Sequence, residues 1–318
     1  MTSANARLAA SIPLPPNGIA AVRVPATTAN LGPGFDAFGA AITLHLEAVA
    51  EPRNERRERI VSEGEGAGEL PSDDRNLVWR SFIALCEEAG VPAPDVAVSI
   101  RNAVPLERGL GSSSAAIVAG LALARAVCRL PVGDLDLVRL AADIEGHPDN
   151  VAPAVLGGLV CAGRSDRGEL IVRRAQPHAR LVPVVFVPVQ RQATTDARAV
   201  LPDTLGRDHV GDQAARAGHV LAALLGVWPV APDLAGDRLH EPPRLAAMAP
   251  TRALVAELRA AGIHAWLSGA GPSACAAIPQ RDAAARQRCA RIGGGKGFSV
   301  RVLRWDLSGL LTTPANRP

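Results

Sequence analysis

The sequence predicts a mixed α+β protein of two domains, and three observations point there. Its 318 residues exceed what one hydrophobic core usually serves, because single cores stop growing at about 250–300 residues. Short runs rich in Val, Ile and Leu, bounded by Gly, Pro or Asn, are interspersed with longer stretches of helical periodicity. A charged glycine turn, Gly163 to Gly168, breaks the chain near its middle and sets the expected domains at residues 1–165 and 166–318.

Ile19 to Val24 reads as a short strand, and the loop ATTANLGPGFDAFG separates it from a second strand, Ile42 to Val49. Glu51 to Asp74 is charged and glycine-rich, the composition of a loose hairpin and surface loop. Leu77 to Ala89 is a helix, and Val96 to Ile100 is a strand that feeds the loop Pro105 to Gly111. Ser112 to Arg129 has the small apolar residues of a closely packed helix, opened by serines suited to capping. Asp134 to Glu145 places Leu137, Leu140, Ala141 and Ile144 on one helical face, and Gly146 to Asn150 is a compact break. Strands are expected at Leu156 to Cys161 and Leu181 to Val189, the latter at a sheet edge because it carries Pro183 and Pro188. The chain is then mostly helical to about Ala261, with a Pro-rich interruption at Glu241 to Arg244, before strands at 265–267, 273–278 and 300–305.

Hydrophobic residues make up 48% of the chain but aromatics only 3%, so the core must be built mainly from Ala, Val and Leu. Thirty-four basic against 31 acidic residues leave a net charge of +3, and the arginines are scattered, which gives nucleic-acid binding no support. No charge-free apolar run reaches 18 residues, and Arg7, Pro13, Pro15 and Pro16 interrupt the start before a signal-type region forms. A cytoplasmic protein with no membrane partner is expected. Five cysteines, odd in number and never in a C-x-x-C pair, read as buried thiols rather than a disulfide framework or zinc site.

The strongest local signal is PLERGLGSSSAA, residues 105–116: a strand exit, a glycine turn and a helix start. Glycines at 109 and 111 let backbone N–H groups approach an anion, and the following helix turns its unpaired N–H groups and positive dipole end to the same point. A phosphate cradle fits these residues, although a serine-capped tight turn would account for them as well. The Walker A pattern fails at both ends: around Gly295-Lys296 the first glycine is Ala290 and the hydroxyl position is Gly297. A nucleophile elbow around Ser113 fails too, since its last glycine is Ala115. Glu145 closes a predicted helix, where its charge faces the negative dipole end at a cost of about 0.3–1 kcal/mol; a cation would reverse that cost, and a solvated surface glutamate is the plainer account.

Taken in order, VPATTANLGPGFDAFG, PLERGLGSSSAA and LSGAGPSACA resemble the three motifs of the GHMP kinases, and together they span residues 24–276. The resemblance implies an α+β kinase whose N-terminal ATP-binding domain contains a left-handed βαβ unit and whose C-terminal domain is ferredoxin-like. The segments EGHPDN (145–150), NLGPGFD (30–36), TTDAR (194–198) and LHEPPR (239–244) resemble the branch that phosphorylates L-homoserine, giving O-phospho-L-homoserine on the route to threonine. Two positions depart from that branch: Pro243 where an aromatic is usual, and Thr194-Thr195 where Ser-Thr is.

On that resemblance ATP lies along Pro105, Arg108, Gly109, Leu110, Gly111, Ser112, Ser113, Ser114 and Ala115, with Asn76 near adenine, although a turn-forming asparagine before a helix fits Asn76 equally. Ser113 and Glu145 would hold Mg²⁺ against the β- and γ-phosphates. Arg198 and Arg244 would take the substrate carboxylate, for which the guanidinium fork is suited, and Asp36 the ammonium. Asn30 and Asn150 would orient the substrate, Asn150 near the hydroxyl; Thr194 would stand beside Asp36, and Gly271 would support the loop and substrate near the transferred phosphate. The chemistry would then depend on Asn150, Arg198, Ser113 and Glu145, with no side chain dedicated as base. His147 is the rival base, with a structural helix-end role as its alternative. The resemblance also implies a homodimer. Two other functions compete: a mevalonate-type kinase of the same family, which would have no use for Asp36, and a non-catalytic nucleotide-binding relative, which would be expected to lose Glu145 or the loop glycines.

Overall fold

A computed structural model describes residues 19–54, 58–188 and 198–314. The first sheet has seven strands: β1 (Ala20–Ala29), β2 (Phe38–Pro52), β3 (Ile60–Gly64), β4 (Val96–Asn102), β5 (Leu159–Arg164), β6 (Leu170–Ala175) and β11 (Leu311–Pro314). They run in the order β11-β1-β2-β4-β3, and β5 pairs with both β2 and β6. β2 is 15 residues long: it pairs with β1 along one edge and serves two neighbours along the other, β5 along 38–40 and β4 along 46–52. A register shift at Pro25/Ala26 in β1 bends the sheet between those two ends. The βαβ unit is β3, helix α1 (Leu77–Glu88) and β4, its strands parallel.

Helices α2 (Ser112–Val127), α3 (Asp134–Glu145) and α4 (Pro148–Leu156) join α1 in covering this sheet. α2 is the central one. Ten of its residues are buried, nearly all Ala, Val, Leu or Ile, and Gly120 lets it close on α1: a Cβ there would lie 2.1 Å from the Val78 carbonyl oxygen.

The second sheet contains β7 (Leu181–Pro188), β8 (His264–Leu267), β9 (Ala274–Pro279) and β10 (Phe298–Val302), all antiparallel in the order β10-β7-β9-β8. Helices α5 (Arg207–Leu224), α6 (Glu241–Ala246) and α7 (Ala249–Ala260) lie between β7 and β8, and α8 (Ala283–Gly294) between β9 and β10, which gives the ferredoxin-like strand order. Val182, Val184 and Phe186 face Leu254, Leu258 and Ile292, whereas Leu181, Val185 and Val187 join the large core of the first sheet. Both faces of β7 are therefore covered, which is why it reads as an unbroken apolar run.

Five expectations need correction. β7 is a central strand, not an edge: the Pro183 carbonyl accepts from Leu303 N one rung past the last β7–β10 pair, so the missing N–H falls where that ladder ends. The Gly163–Gly168 turn joins β5 to β6 inside one sheet, and the chain passes to the second sheet only across 176–180. The stretch 51–74 contains β3, paired along its length with β4. Two expected breaks are helix starts: Pro148 opens α4, and Pro242 and Pro243 lie in the first turn of α6, where a helix needs no N–H.

The five cysteines are free, yet two are neighbours: Cys86 and Cys128 meet where α1 packs on α2, their sulfurs 3.8 Å apart. Burial, with Cys128 beside it, pushes the Cys86 thiol up to about 12. Among the described residues no helix is long and apolar enough to cross a membrane.

Candidate active site

The three motifs meet at the N-terminus of α2. Gly111 caps that helix with φ 69°, and Gly109 has φ 68°. Ala115 N bonds back to Gly111 O, so the N–H groups of Ser112, Ser113 and Ser114 precede the helical ladder and face the loop. A Cβ at Gly109 would lie 2.2 Å from the Ser268 carbonyl oxygen, and one at Gly111 would lie 2.0 Å from Thr27 Oγ1. The glycines thus serve packing as well as turning: they let the third and first motifs close on the second. Thr27 N donates to Leu110 O, Ser268 Oγ to Gly109 O (2.6 Å), and Asn30 Nδ2 to Gly269 O.

Glu145 ends α3 before Gly146, whose φ of 91° turns the chain away. Its carboxylate accepts from Ser113 Oγ at 3.0 Å and Ser114 Oγ at 3.1 Å. Sequence suggested that these serines cap α2; the structure gives the cap to Gly111 and their hydroxyls to Glu145. A carboxylate and hydroxyls beside a helix N-terminus form an all-oxygen donor set that suits a hard divalent cation shared with phosphates. Among the described residues no group of three or more His, Cys, Asp or Glu side chains is placed to hold a metal ion.

A cavity of about 440 Å³ opens from this loop. Leu46, Leu70, Leu77, Val78, Ile100 and Leu106 give it an apolar lining, and Arg108, Gly109, Gly111, Ser112, Ser113, Ser114, Glu145, His147 and Asn150 a polar one. Arg108 brings a buried Nε with no hydrogen-bond partner in the protein. Pro105, Leu110 and Ala115 do not line the cavity; they are buried and anchor the loop from behind. Asn76 lines it, but its Oδ1 caps Val78 N and its Nδ2 donates to Pro71 O, so its side chain is committed to the start of α1.

Asn150 is carried on the first turn of α4, where its Oδ1 accepts from Thr27 Oγ1 at 2.7 Å. Beside it, His147 Nδ1 bonds to Asp149 Oδ1 at 2.6 Å, and Asp149 is 2% exposed. Burial opposes a charge on His147, but Asp149, with Glu145 and Asp36 nearby, outweighs burial and raises its pKa.

Past Asn150 lies a second charged cluster. Arg198 Nη1 and Nη2 reach the two oxygens of Asp36, both at 3.0 Å. Arg244, 5% exposed, donates to Gly269 O and contacts His240 Nδ1. Burial is the main cause lowering its pKa below the ordinary arginine value, and Arg198 adds to it while Asp36 opposes. His240, fully buried, bonds through Nε2 to Gly32 O, and Asp237 caps the turn into α6 by accepting from His240 N and Glu241 N. The Phe35 ring stacks on His240, with the guanidinium groups of Arg198 and Arg244 at 5.7 and 5.5 Å.

Two further expected site residues make contacts within the protein. Asn30 is 3% exposed and has its Oδ1 taken by Asp36 N and its Nδ2 by Gly269 O, so it pins the first motif to the third. Gly271 packs against Met248 and Leu267 beneath the loop, which presents Gly269 and Ala270 to the cavity. Thr194 lies outside the described residues. Phe35, His240 and Asp149 were overlooked although each lies inside a quoted motif, because nothing in the linear spacing says that a ring stacks or a carboxylate orients.

A glycine loop on a helix N-terminus, a carboxylate held by its hydroxyls and a separate cluster of charged side chains are the parts of a small-molecule kinase that uses ATP with a divalent metal. The model of the GHMP kinases N terminal domain matches residues 76–158, and that of the GHMP kinases C terminal matches 230–293. The homoserine kinase of Synechococcus sp. is 41% identical, covering 88% of this chain and 93% of that one. The homoserine kinase of Streptomyces avermitilis is 40% identical over 92% and 95% of the two chains. The crystal structure of homoserine kinase from Cytophaga hutchinsonii superposes with a TM-score of 0.79 at 26% identity, covering 95% of this chain and all of that one. The chain belongs to the homoserine kinase family of the GHMP kinases.

Proposed function

We propose that this protein transfers the γ-phosphoryl group of ATP to the side-chain hydroxyl of L-homoserine, forming O-phospho-L-homoserine for threonine synthesis, with Mg²⁺ as the divalent metal. The observation that supports the reading best is that Asp36, Arg198 and Arg244 form one charged cluster, while Ser113 and Ser114 beside the glycine loop donate to Glu145. Such an acceptor site needs a cation for a carboxylate and an anion for an ammonium, and this one contains both.

In the proposed reaction the N–H groups of Ser112, Ser113 and Ser114 bind phosphate oxygens at the positive end of α2, and Arg108 adds charge from the cavity wall. Ser113 and Glu145 would hold Mg²⁺, which when bound neutralises charge on the transferring phosphoryl group. Arg198 and Arg244 take the homoserine carboxylate and Asp36 its ammonium, which leaves the hydroxyl at Asn150. Asn150 cannot accept a proton at neutral pH. None need be removed early, because the loose transition state of phosphoryl transfer gains most from alignment and charge neutralisation. The reading carries a cytoplasmic location, where ATP is available and the five free thiols stay reduced.

The deciding assay follows ADP release with L-homoserine, mevalonate and galactose. Turnover of homoserine alone is the expected result. Turnover of mevalonate in its place would move the chain to the isoprenoid branch, and none with any acceptor would leave a nucleotide-binding protein without catalysis.

A further inference from the structure

The two groups assigned above to opposite ends of homoserine hold each other. Arg198 and Asp36 form a two-pronged ion pair, both contacts at 3.0 Å, and their side chains are 49% and 34% exposed. Arg244 is placed differently, buried against Gly269 O and His240. A ligand therefore meets one fixed cation and one cation already engaged with the site's only anion among these three side chains.

An α-amino acid carries a carboxylate and an ammonium on one carbon, the same two charges that Arg198 and Asp36 now give each other. We infer that substrate binding is an exchange of ion pairs: the α-ammonium takes Asp36, the α-carboxylate takes Arg198, and the site selects the zwitterion as a unit. The inference rests on the acceptor reading given above. For a zwitterion, the bridge broken is replaced by two bridges made. A carboxylate-only alcohol must break the same bridge to reach Arg198, and it then lies beside an Asp36 that has lost its partner. An ammonium-only alcohol must break the same bridge to reach Asp36 and makes none with Arg198 in return. Each half-substrate thus loses more than one missing contact.

This separates the exchange from a plain ammonium pocket. If Asp36 only binds ammonium, removing its charge changes nothing for an acceptor that has none. If Asp36 also competes for Arg198, removing its charge helps a carboxylate-only acceptor while it harms homoserine.

The experiment measures ADP release by wild type, Asp36→Asn and Arg198→Gln with L-homoserine, 4-hydroxybutyrate and 3-aminobutan-1-ol. Asp36→Asn should raise kcat/KM for 4-hydroxybutyrate about 3- to 10-fold, the upper range for a part-exposed, two-pronged pair, while lowering it for homoserine at least about 10-fold. Arg198→Gln should produce the mirror gain with 3-aminobutan-1-ol. A 4-hydroxybutyrate value that falls, stays flat or is undetectable in both proteins overturns the exchange, provided that the variant's thermal unfolding matches wild type. If Asp36→Asn does not fold, the mirror arm decides by the same criterion. Wild-type turnover of homoserine tests the acceptor reading separately: its absence defeats that reading, whereas its presence with flat analogue profiles defeats only the exchange.

Discussion

Glu145 sits with its charge against the negative end of α3, in hydrogen bonds from two serines that a surface glutamate would not recruit. Glu145→Gln should therefore lower kcat by about 10² or more, while the melting temperature holds or rises slightly because a dipole repulsion of about 0.3–1 kcal/mol is relieved. Loss of activity together with early unfolding would mean that the residue is structural. His147 makes the opposite case. Burial disfavours its charge, but the Asp149 carboxylate at 2.6 Å, helped by Glu145 and Asp36, raises its pKa, and that contact commits its Nδ1 to Asp149. His147→Gln should cost less than about 10² in kcat with homoserine binding intact, since a dedicated general base contributes about 10² to 10⁴. A larger drop, with KM unchanged, would make His147 the base.

At the scale of elements, the site exists because three loops close on two glycines. Gly109 has φ 68°, and a side chain there would meet the Ser268 carbonyl oxygen at 2.2 Å and the Gly271 carbonyl oxygen at 2.8 Å, both backbone atoms that cannot rotate away. Gly109→Ala should cost about 2–4 kcal/mol, from left-handed strain and an imposed clash, and push the third motif off the phosphate loop. A chemical-denaturation midpoint close to wild type would contradict that packing. Element identity also explains which parts of the chain misled a linear reading. Pro148 and the Pro242-Pro243 pair look like interruptions in one dimension, yet each opens a helix. They bring Asn150 onto the first turn of α4 and Arg244 onto the last turn of α6, with Asp237 capping the start of α6.

At the scale of the molecule, the two sheets are tied by the chain's return. After β10 the backbone crosses back: Trp305 bridges Ile42, Trp305 Nε1 donates to Leu181 O, and β11 adds to β1. Asp306 fixes this crossing by accepting from His45 Nε2, Ser308 N and Gly309 N. Burial raises its pKa, but these donors outweigh burial and hold the carboxyl below its ordinary value. A group so lowered stabilises the fold above the ordinary carboxylate pKa, and that share is lost as pH falls through the lowered value. Asp306→Asn should lose about 1–3 kcal/mol near pH 7, and the gap to wild type should narrow in acid. Urea melts across pH would show it; a constant gap would mean that the charge is not what matters.

What the sequence determined alone is what sits on contiguous residues. The glycine turn, the helix that follows it, the apolar stripe of α3 ending at Glu145 and the order of the three motifs are all short-range patterns, and they are enough for fold and family. The tertiary structure decided everything that depends on which strand lies beside which and which side chains a fold brings together across the chain. It put β7 in a sheet centre despite its prolines, moved the passage between sheets past the charged turn at 163–168, and gave Asn30 and Asn76 hydrogen bonds that hold loops together. It also paired Asp36 with Arg198 across 162 positions, a contact made by folding that no local pattern encodes.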